Sequence, residues 1–256
     1  MCPQRNQEVA KFHIRVETLQ PFHLGTNKDP MSDVEGPVAT LGGEPVIQGT
    51  SLKGALRQQI EEYLILNYAD DETMKPCIPA PRNNLSLDEK RLIREGKYRG
   101  PNCGYDFKNK KDATLCPTCY LLGTMGLVGF VQVPYLYISN EVNVEEMYAN
   151  RRDRGTNRVA DRANRSMQLL PRGTVFEGEL EVILRDRVRG WVLGQPRKLS
   201  AHYHDAWLEK RHWSQDEFIR EFILDRLEAI PRLGGHISKG FGNVAITVTP
   251  VGKGQR

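Results

Sequence analysis

No run of about 18 apolar residues occurs in the 256-residue chain, so no helical membrane span is expected. The opening MCPQRNQEVAKFHIRV carries no apolar core of the kind a secretory leader needs, which predicts a cytoplasmic protein. Two phosphate signatures are missing as well. G-x-x-x-x-G-K-[ST] is absent, and no glycine-rich dinucleotide fingerprint opens a helix after a strand. Internal repeats and low-complexity tracts are also wanting. Cysteine is scarce and odd in number, five in all, which fits a reducing compartment where zinc is a commoner fate than disulfides. Net charge is only +4 and excludes little about partners. With 39% hydrophobic residues and a mean hydropathy of −0.52, the chain reads as globular, one large domain spanning residues 1–256.

What little cysteine there is lies crowded together. Cys77, Cys103, Cys116 and Cys119 sit mid-chain, and only Cys2 lies outside. The Cys116-Pro-Thr-Cys119 pair sets two thiolates one tetrahedral edge apart, and two more upstream complete a closed zinc shell. Unligated thiols are the bland alternative. A redox C-x-x-C would need a strand-then-helix context, which the sequence does not announce. Residues 70–125 are therefore expected to form an insertion folded around structural zinc, with a short helix near 86–95.

Around this insertion the apolar periods alternate between strand and helix. Phe12, Ile14 and Val16 predict a strand over Lys11–Leu19, followed by an irregular Gly/Pro-rich stretch to Gly49. Thr50 or Ser51 is expected to cap a helix from Leu52 to about Tyr68. Its apolar stripe is Leu52, Leu56, Ile60, Tyr63 and Leu64, with Lys53, Arg57, Glu61 and Glu62 opposite. Gly126–Ile138 reads as a strand that Pro134 forces to an edge or bulge. Gly173–Leu184 is the clearest strand. Ser214 and Glu217 form a capping box opening a helix to about Ile230, with Phe218, Phe222, Ile223 and Leu227 inward, and Gly242–Pro250 is the last strand. The order is β-α-β-β-α-β. That predicts an α+β, ferredoxin-like palm, the layout also used by RNA-recognition modules.

Three segments carry chemistry. Leu233–Asn243 holds four glycines and Lys239, a turn able to lay backbone N–H groups against phosphate. Ile47–Arg57 places a glycine and hydroxyls ahead of Lys53 at a helix start, an anion site by dipole and free N–H groups. Pro171–Phe176 is a turn with Arg172 at its edge. Between Arg151 and Arg172 seven arginines meet only Asp153 and Asp161, a local excess larger than the charge of the whole chain. So many guanidiniums cannot bury a face, and residues 140–170 are expected to project and to pair with phosphate through Arg158, Arg162 and Arg165. His202 and His204 make an H-x-H pair that reads as a polar loop sooner than as a metal site.

The segments QGTSLKGALR, CPTCYLLGT, LLPRGTVFEGEL and GGHISKGFGNV, in this order, resemble the RAMP superfamily of CRISPR effectors. More narrowly, they resemble the zinc-bearing backbone subunits of type III complexes, over roughly His23 to Val244. The resemblance implies a palm with a protruding thumb hairpin inside residues 140–170. It also implies stacking along a guide RNA that pairs with target RNA, beside other RAMP subunits and the large and small subunits of the complex. It assigns guide contacts to His23, Ser51, Lys53, Arg57, Arg172 and the loop with Gly235, His236, Lys239 and Gly240, and leaves Met167 and Leu169 to wedge or brace the duplex. Catalytic members use an aspartate two residues before a proline. Counted from Pro37, that place holds Glu35, with Asp33 two residues earlier. Either acid would position magnesium or manganese for attack by a ribose 2′-hydroxyl on the scissile phosphate. The alternatives are a non-catalytic RNA scaffold, a stand-alone guide-processing nuclease using histidine without metal, and an unrelated zinc-ribbon RNA-binding protein.

Overall fold

Alternation sets the first strand: Phe12, Ile14, Val16 and Thr18 turn inward along β1 (Gln7–Thr18), which is longer at its start than the sequence period suggests. A computed structural model describes residues 6–26, 34, 36–77, 103, 113–124, 126–152, 155–156, 159–197, 203–209 and 211–252. The expected helix near 86–95 lies outside the described residues. Two compact units emerge, each built from three stretches of chain. The first comprises Met1–Ala10, Arg57–Gln132 and Glu181–Asp225; the second comprises Lys11–Leu56, Val133–Leu180 and Arg226–Arg256.

Antiparallel pairing dominates the second unit. It holds β2 (Thr40–Leu41), β3 (Glu44–Ile47), β6 (Leu136–Ile138), β12 (Val244–Pro250), β1 from Lys11 onward and β9 (Val175–Asp186) up to Leu180, in the sheet order β12-β1-β9-β6-β3-β2. Ile14 stands opposite Val248, and Val16 opposite Ile246. Buried Thr18 fastens the turn below, donating its hydroxyl to the Pro171 carbonyl and accepting the Thr174 N–H. Phe176, Leu180 and Val182 form the inward row of β9, whereas Val175 and Leu184 are only half-buried. A separate two-stranded hairpin, β7 (Glu145–Arg152) and β8 (Val159–Leu169), holds the arginine-rich stretch, with Ala149 opposite Arg165.

Three details depart from the sequence reading. The helix α1 (Gly49–Asn67) starts earlier than expected. The Gln48 carbonyl accepts the N–H groups of Ser51 and Leu52, so Gln48 takes the cap position and Thr50 and Ser51 lie in the first turn. A long-range contact fixes this start: a Cβ on Gly49 would come within 2.7 Å of the Val133 and Pro134 carbonyl oxygens. Pro134 does more than mark an edge. It divides the expected strand into β5 (Val131–Gln132) and β6, because proline donates nothing to a ladder. Finally, the helix opened by the Ser214–Glu217 capping box runs as α-helix over Gln215–Ile219, widens to a π-turn over Arg220–Leu224 and resumes over Asp225–Glu228. Phe218, Phe222, Ile223 and Leu227 are buried as expected, with Ile219 in addition.

In the first unit, β5 and β10 (Trp191–Val192) both pair antiparallel with residues 181–186 of β9, Val131 opposite Val182 and Trp191 opposite Asp186. The core here is aromatic. Trp207 stacks on Phe218 at 5.9 Å between centroids, and Tyr120 meets Phe130 at 4.8 Å and Trp207 edge-on at 5.3 Å. No helix among the described residues is long and apolar enough to cross a membrane.

Candidate metal centre and nucleic-acid face

The four cysteines of the first unit converge from three separate places in sequence. Cys77 follows the 3-10 turn Glu72–Met74, Cys103 comes next, and Cys116 and Cys119 flank the start of α2 (Pro117–Leu122). All four are buried, and their sulfur atoms lie within 4.8 Å of one another. Cys77 Sγ is 3.2 Å from Cys119 Sγ and 3.6 Å from Cys116 Sγ. A tetrahedral zinc with bonds of about 2.3 Å needs sulfur–sulfur edges of about 3.8 Å. The donor set therefore fits a metal such as zinc with only small adjustment.

Electrostatics favours the same occupant. Hydrogen bonds from Cys103, then from Cys116 and Cys77, hold the Cys119 thiol far below the usual thiol range. Cys103 is pushed far upward, first by its bond to Cys116, then by Cys119, Cys77 and burial. A buried group of four thiols cannot all ionise beside one another, and a divalent cation removes that conflict. Local bonds shape the pocket: the Cys116 N–H points at Cys103 Sγ from 3.2 Å, and the Thr124 hydroxyl donates to the Cys103 carbonyl.

The strand expected to be missing before the C-x-x-C pair is present: Ala113–Thr114 forms β4, pairing parallel with β11 (Tyr203–His204). Two residues of strand are too short to register in the sequence pattern. With Cys77 and Cys103 against the pair, and no thiol of the four exposed, the centre still has the make-up of a closed ligand set.

The helical period sends Arg57 to the outer face of α1, yet its guanidinium lies at this centre. Nη2 donates to the Gly123 carbonyl at 3.0 Å, and Nη1 is 3.7 Å from Cys119 Sγ. Nothing in the period reveals this, because Arg57 falls on the polar side of the stripe.

A different group of residues meets in the second unit. His23 is 7% exposed, and its Nδ1 lies 2.8 Å from the Gln168 carbonyl of β8. A carbonyl only accepts, so Nδ1 carries a proton. The His23 carbonyl accepts the Gly235 N–H at 2.8 Å. Gly234 is obligatory beside it: φ is +88°, and a Cβ there would come 2.4 Å from the His23 oxygen. His236 follows in the left-handed region, φ 57°, its ring 5.4 Å from that of His23. Lys239 and Gly240 close the loop after the 3-10 turn Ile237–Lys239, both exposed.

The hairpin root joins the same place. Gly36 N–H donates to the Ser166 carbonyl, and the Gly36 carbonyl accepts from Gln168 N–H. Val34 and Gly36 are described, whereas Asp33 and Glu35 lie outside the described residues. Met167 and Leu169 are buried in this root. Arg165 is exposed on β8; the side chain of Arg162 and the whole of Arg158 lie outside what is described. Arg172 is exposed at its turn, and Ser51 and Lys53 are half-buried in the first turn of α1. The H-x-H pair is described only in the backbone of His204.

Burial, then the Lys239 and His23 charges, hold His236 below its ordinary value. His236 is therefore neutral at pH 7, and its protonation costs stability as pH falls past 6.5, the ordinary imidazole value. An NMR titration should give His236 a midpoint below that value, and Lys239→Ala should raise it. A midpoint at or above 6.5 in the unaltered chain would contradict this arrangement.

A family model described as the RAMP superfamily matches residues 15–245. A search among curated proteins finds no match.

Proposed function

The chain belongs to the RAMP superfamily, and from that premise we propose that it is a guide-RNA-binding backbone subunit of a type III CRISPR ribonucleoprotein. One observation carries the reading: buried His23 is bonded both to the glycine loop through Gly235 and to the arginine-rich hairpin through Gln168. A histidine, the glycine loop and the arginine-rich hairpin, all remote in sequence, thus share one place, and Lys239 adds positive charge beside them. The sheet order β12-β1-β9-β6 supports a ferredoxin-like palm, with the hairpin as its thumb. Guide sequences vary, so a carrier of them must hold phosphate and shape rather than base edges.

In this reading the four cysteines hold one structural zinc, and partner subunits stack along the guide. Cleavage of paired target RNA proceeds by attack of a ribose 2′-oxygen on the adjacent phosphorus. The bond to the 5′-oxygen breaks, leaving a cyclic phosphate and a 5′-hydroxyl. Asp33 or Glu35 would supply oxygen ligands for magnesium or manganese, whose chemistry is charge neutralisation at the phosphate.

The test uses the complex assembled on guide RNA. Asp33→Ala and Glu35→Ala, made separately, should leave assembly intact, and one of them should abolish target cleavage. If both variants cleave normally, the scaffold reading replaces the nuclease. Lys53→Ala and Lys239→Ala should weaken unrelated guides about equally and flatten the salt dependence by about 0.7–0.9 for each phosphate no longer neutralised. A loss confined to one guide sequence would count against backbone recognition.

The hairpin supplies a further expectation. Arg158→Ala, Arg162→Ala and Arg165→Ala combined should shift the melting temperature of the isolated subunit little, since surface changes typically stay within about 0.5 kcal/mol. Assembly on guide or capture of target should fall. Unfolding of the subunit, or normal capture, would remove the hairpin from the RNA-binding surface.

A further inference from the structure

We propose that Arg57 is a positioning residue of the four-cysteine centre, an outer cation that sets how tightly the centre holds its metal; this rests on the zinc reading above. Four thiolates around one divalent ion leave two negative charges in a buried place, and the protein must answer them. Arg57 is a cation that reaches a ligand sulfur directly, Nη1 lying 3.7 Å from Cys119 Sγ. Its second arm fixes the peptide that follows the ligand helix. Nη2 donates at 3.0 Å to the carbonyl of Gly123, whose own N–H bonds the Cys119 carbonyl at 2.9 Å. One guanidinium thus grips both the ligand sulfur and the end of its helix.

Glu61, one turn along α1, completes the arrangement. Its carboxylate is 3.7 Å from Nη1, and its side chain is only 13% exposed against 29% for Arg57. A carboxylate that close keeps the guanidinium charged and aligned. A planar fork suits this double duty, whereas a lysine ammonium would satisfy only one partner at a time. With its head so engaged, Arg57 serves the metal centre and is not offered as a phosphate contact.

The experiment measures zinc affinity of the full chain by competition with a chromophoric chelator, without RNA, and the absorption of the cobalt-substituted protein. Arg57→Ala should weaken zinc binding about 10–100-fold, the usual cost of removing a partner that supports a metal ligand. Arg57→Lys should recover part of it. The sulfur-to-cobalt charge-transfer band should move to lower energy in Arg57→Ala, because Cys119 loses a hydrogen-bond donor, and part of the way in Arg57→Lys, whose ammonium divides its time between two partners, while the d–d bands keep their tetrahedral form. A merely structural arginine would lower the melting temperature without moving that band. Should Arg57→Ala fail to fold, Arg57→Lys carries the same reading through its band position. If the unaltered chain binds no zinc, the zinc reading itself fails. If it binds zinc and both variants match its affinity and band, the zinc reading stands and the role of Arg57 is overturned.

Discussion

Cys116→Ser combined with Cys119→Ser should strip the protein of its metal and unfold the first unit around it. Metal analysis of the unaltered chain is expected to give about one equivalent of zinc, and none in the double variant. The size of the effect follows from what holds that region together. Between Cys77 and Cys119 the described chain offers Leu115 and the short α2 as buried apolar matter, with Leu127 packed against the cysteines. Structural zinc contributes on the order of 10–16 kcal/mol of apparent binding free energy, far more than one leucine or a short helix supplies. A chelator should act like the mutations, with diminished protease resistance near Cys103 as a second readout. Absence of zinc in freshly purified protein would end this account.

The cysteines were legible because their chemistry is a matter of residue type and spacing, and spacing survives folding. The stripe Leu52, Leu56, Ile60 and Leu64 was legible for a similar reason: a 3.6 period is written along the chain, and all four are buried. Tyr63, part of that stripe by period, is only half-buried because its hydroxyl reaches out to Glu221. What stayed hidden depends on parts remote in sequence. Gly49 starts the helix early because the Val133 and Pro134 carbonyls lie against it, and no local pattern states that. The π-turn at Arg220–Leu224 leaves the inward residues almost unchanged, so its extra residue per turn is invisible in hydrophobicity. Arg57 sits on the polar side of its helix, where a sequence reader sends charges to solvent; only folding brings Cys119 beneath it. The meeting of His23 with Gly235 and Gln168 was half legible. The glycine loop and the arginine-rich stretch stood out by their residues and His23 only by the resemblance, and their hydrogen bonds join positions more than a hundred residues apart.

Asp205→Ala should be the most damaging single substitution outside the metal centre. Asp205 and Arg197 are buried to the last atom of their charged heads, 0% exposed on both sides. The Asp205 carboxylate takes the Arg197 backbone N–H at 3.0 Å, Nε at 3.2 Å and Nη2 at 3.4 Å. Around the guanidinium stand Tyr120 at 4.3 Å, Trp191 at 5.4 Å and Phe130 at 5.5 Å, apolar faces that replace water with ring quadrupoles. Nη1 has no hydrogen-bond partner, so the pair is already at the limit of what its surroundings satisfy. Removing the carboxylate strands a cation among aromatics, at a cost of about 3–5 kcal/mol. For a chain of this size that is a fall of about 10 °C in melting temperature. The paired change Arg197→Met with Asp205→Leu tells the two contributions apart. Hydrophobic replacement of a buried ion pair is often neutral or stabilising, so the double variant should recover most of the stability that Asp205→Ala removes. If Asp205→Ala melts with the unaltered protein, the ion pair is solvated in solution. If the double variant is as unstable as the single, the rings depend on the guanidinium itself, and cation–π attraction outweighs the cost of burying it.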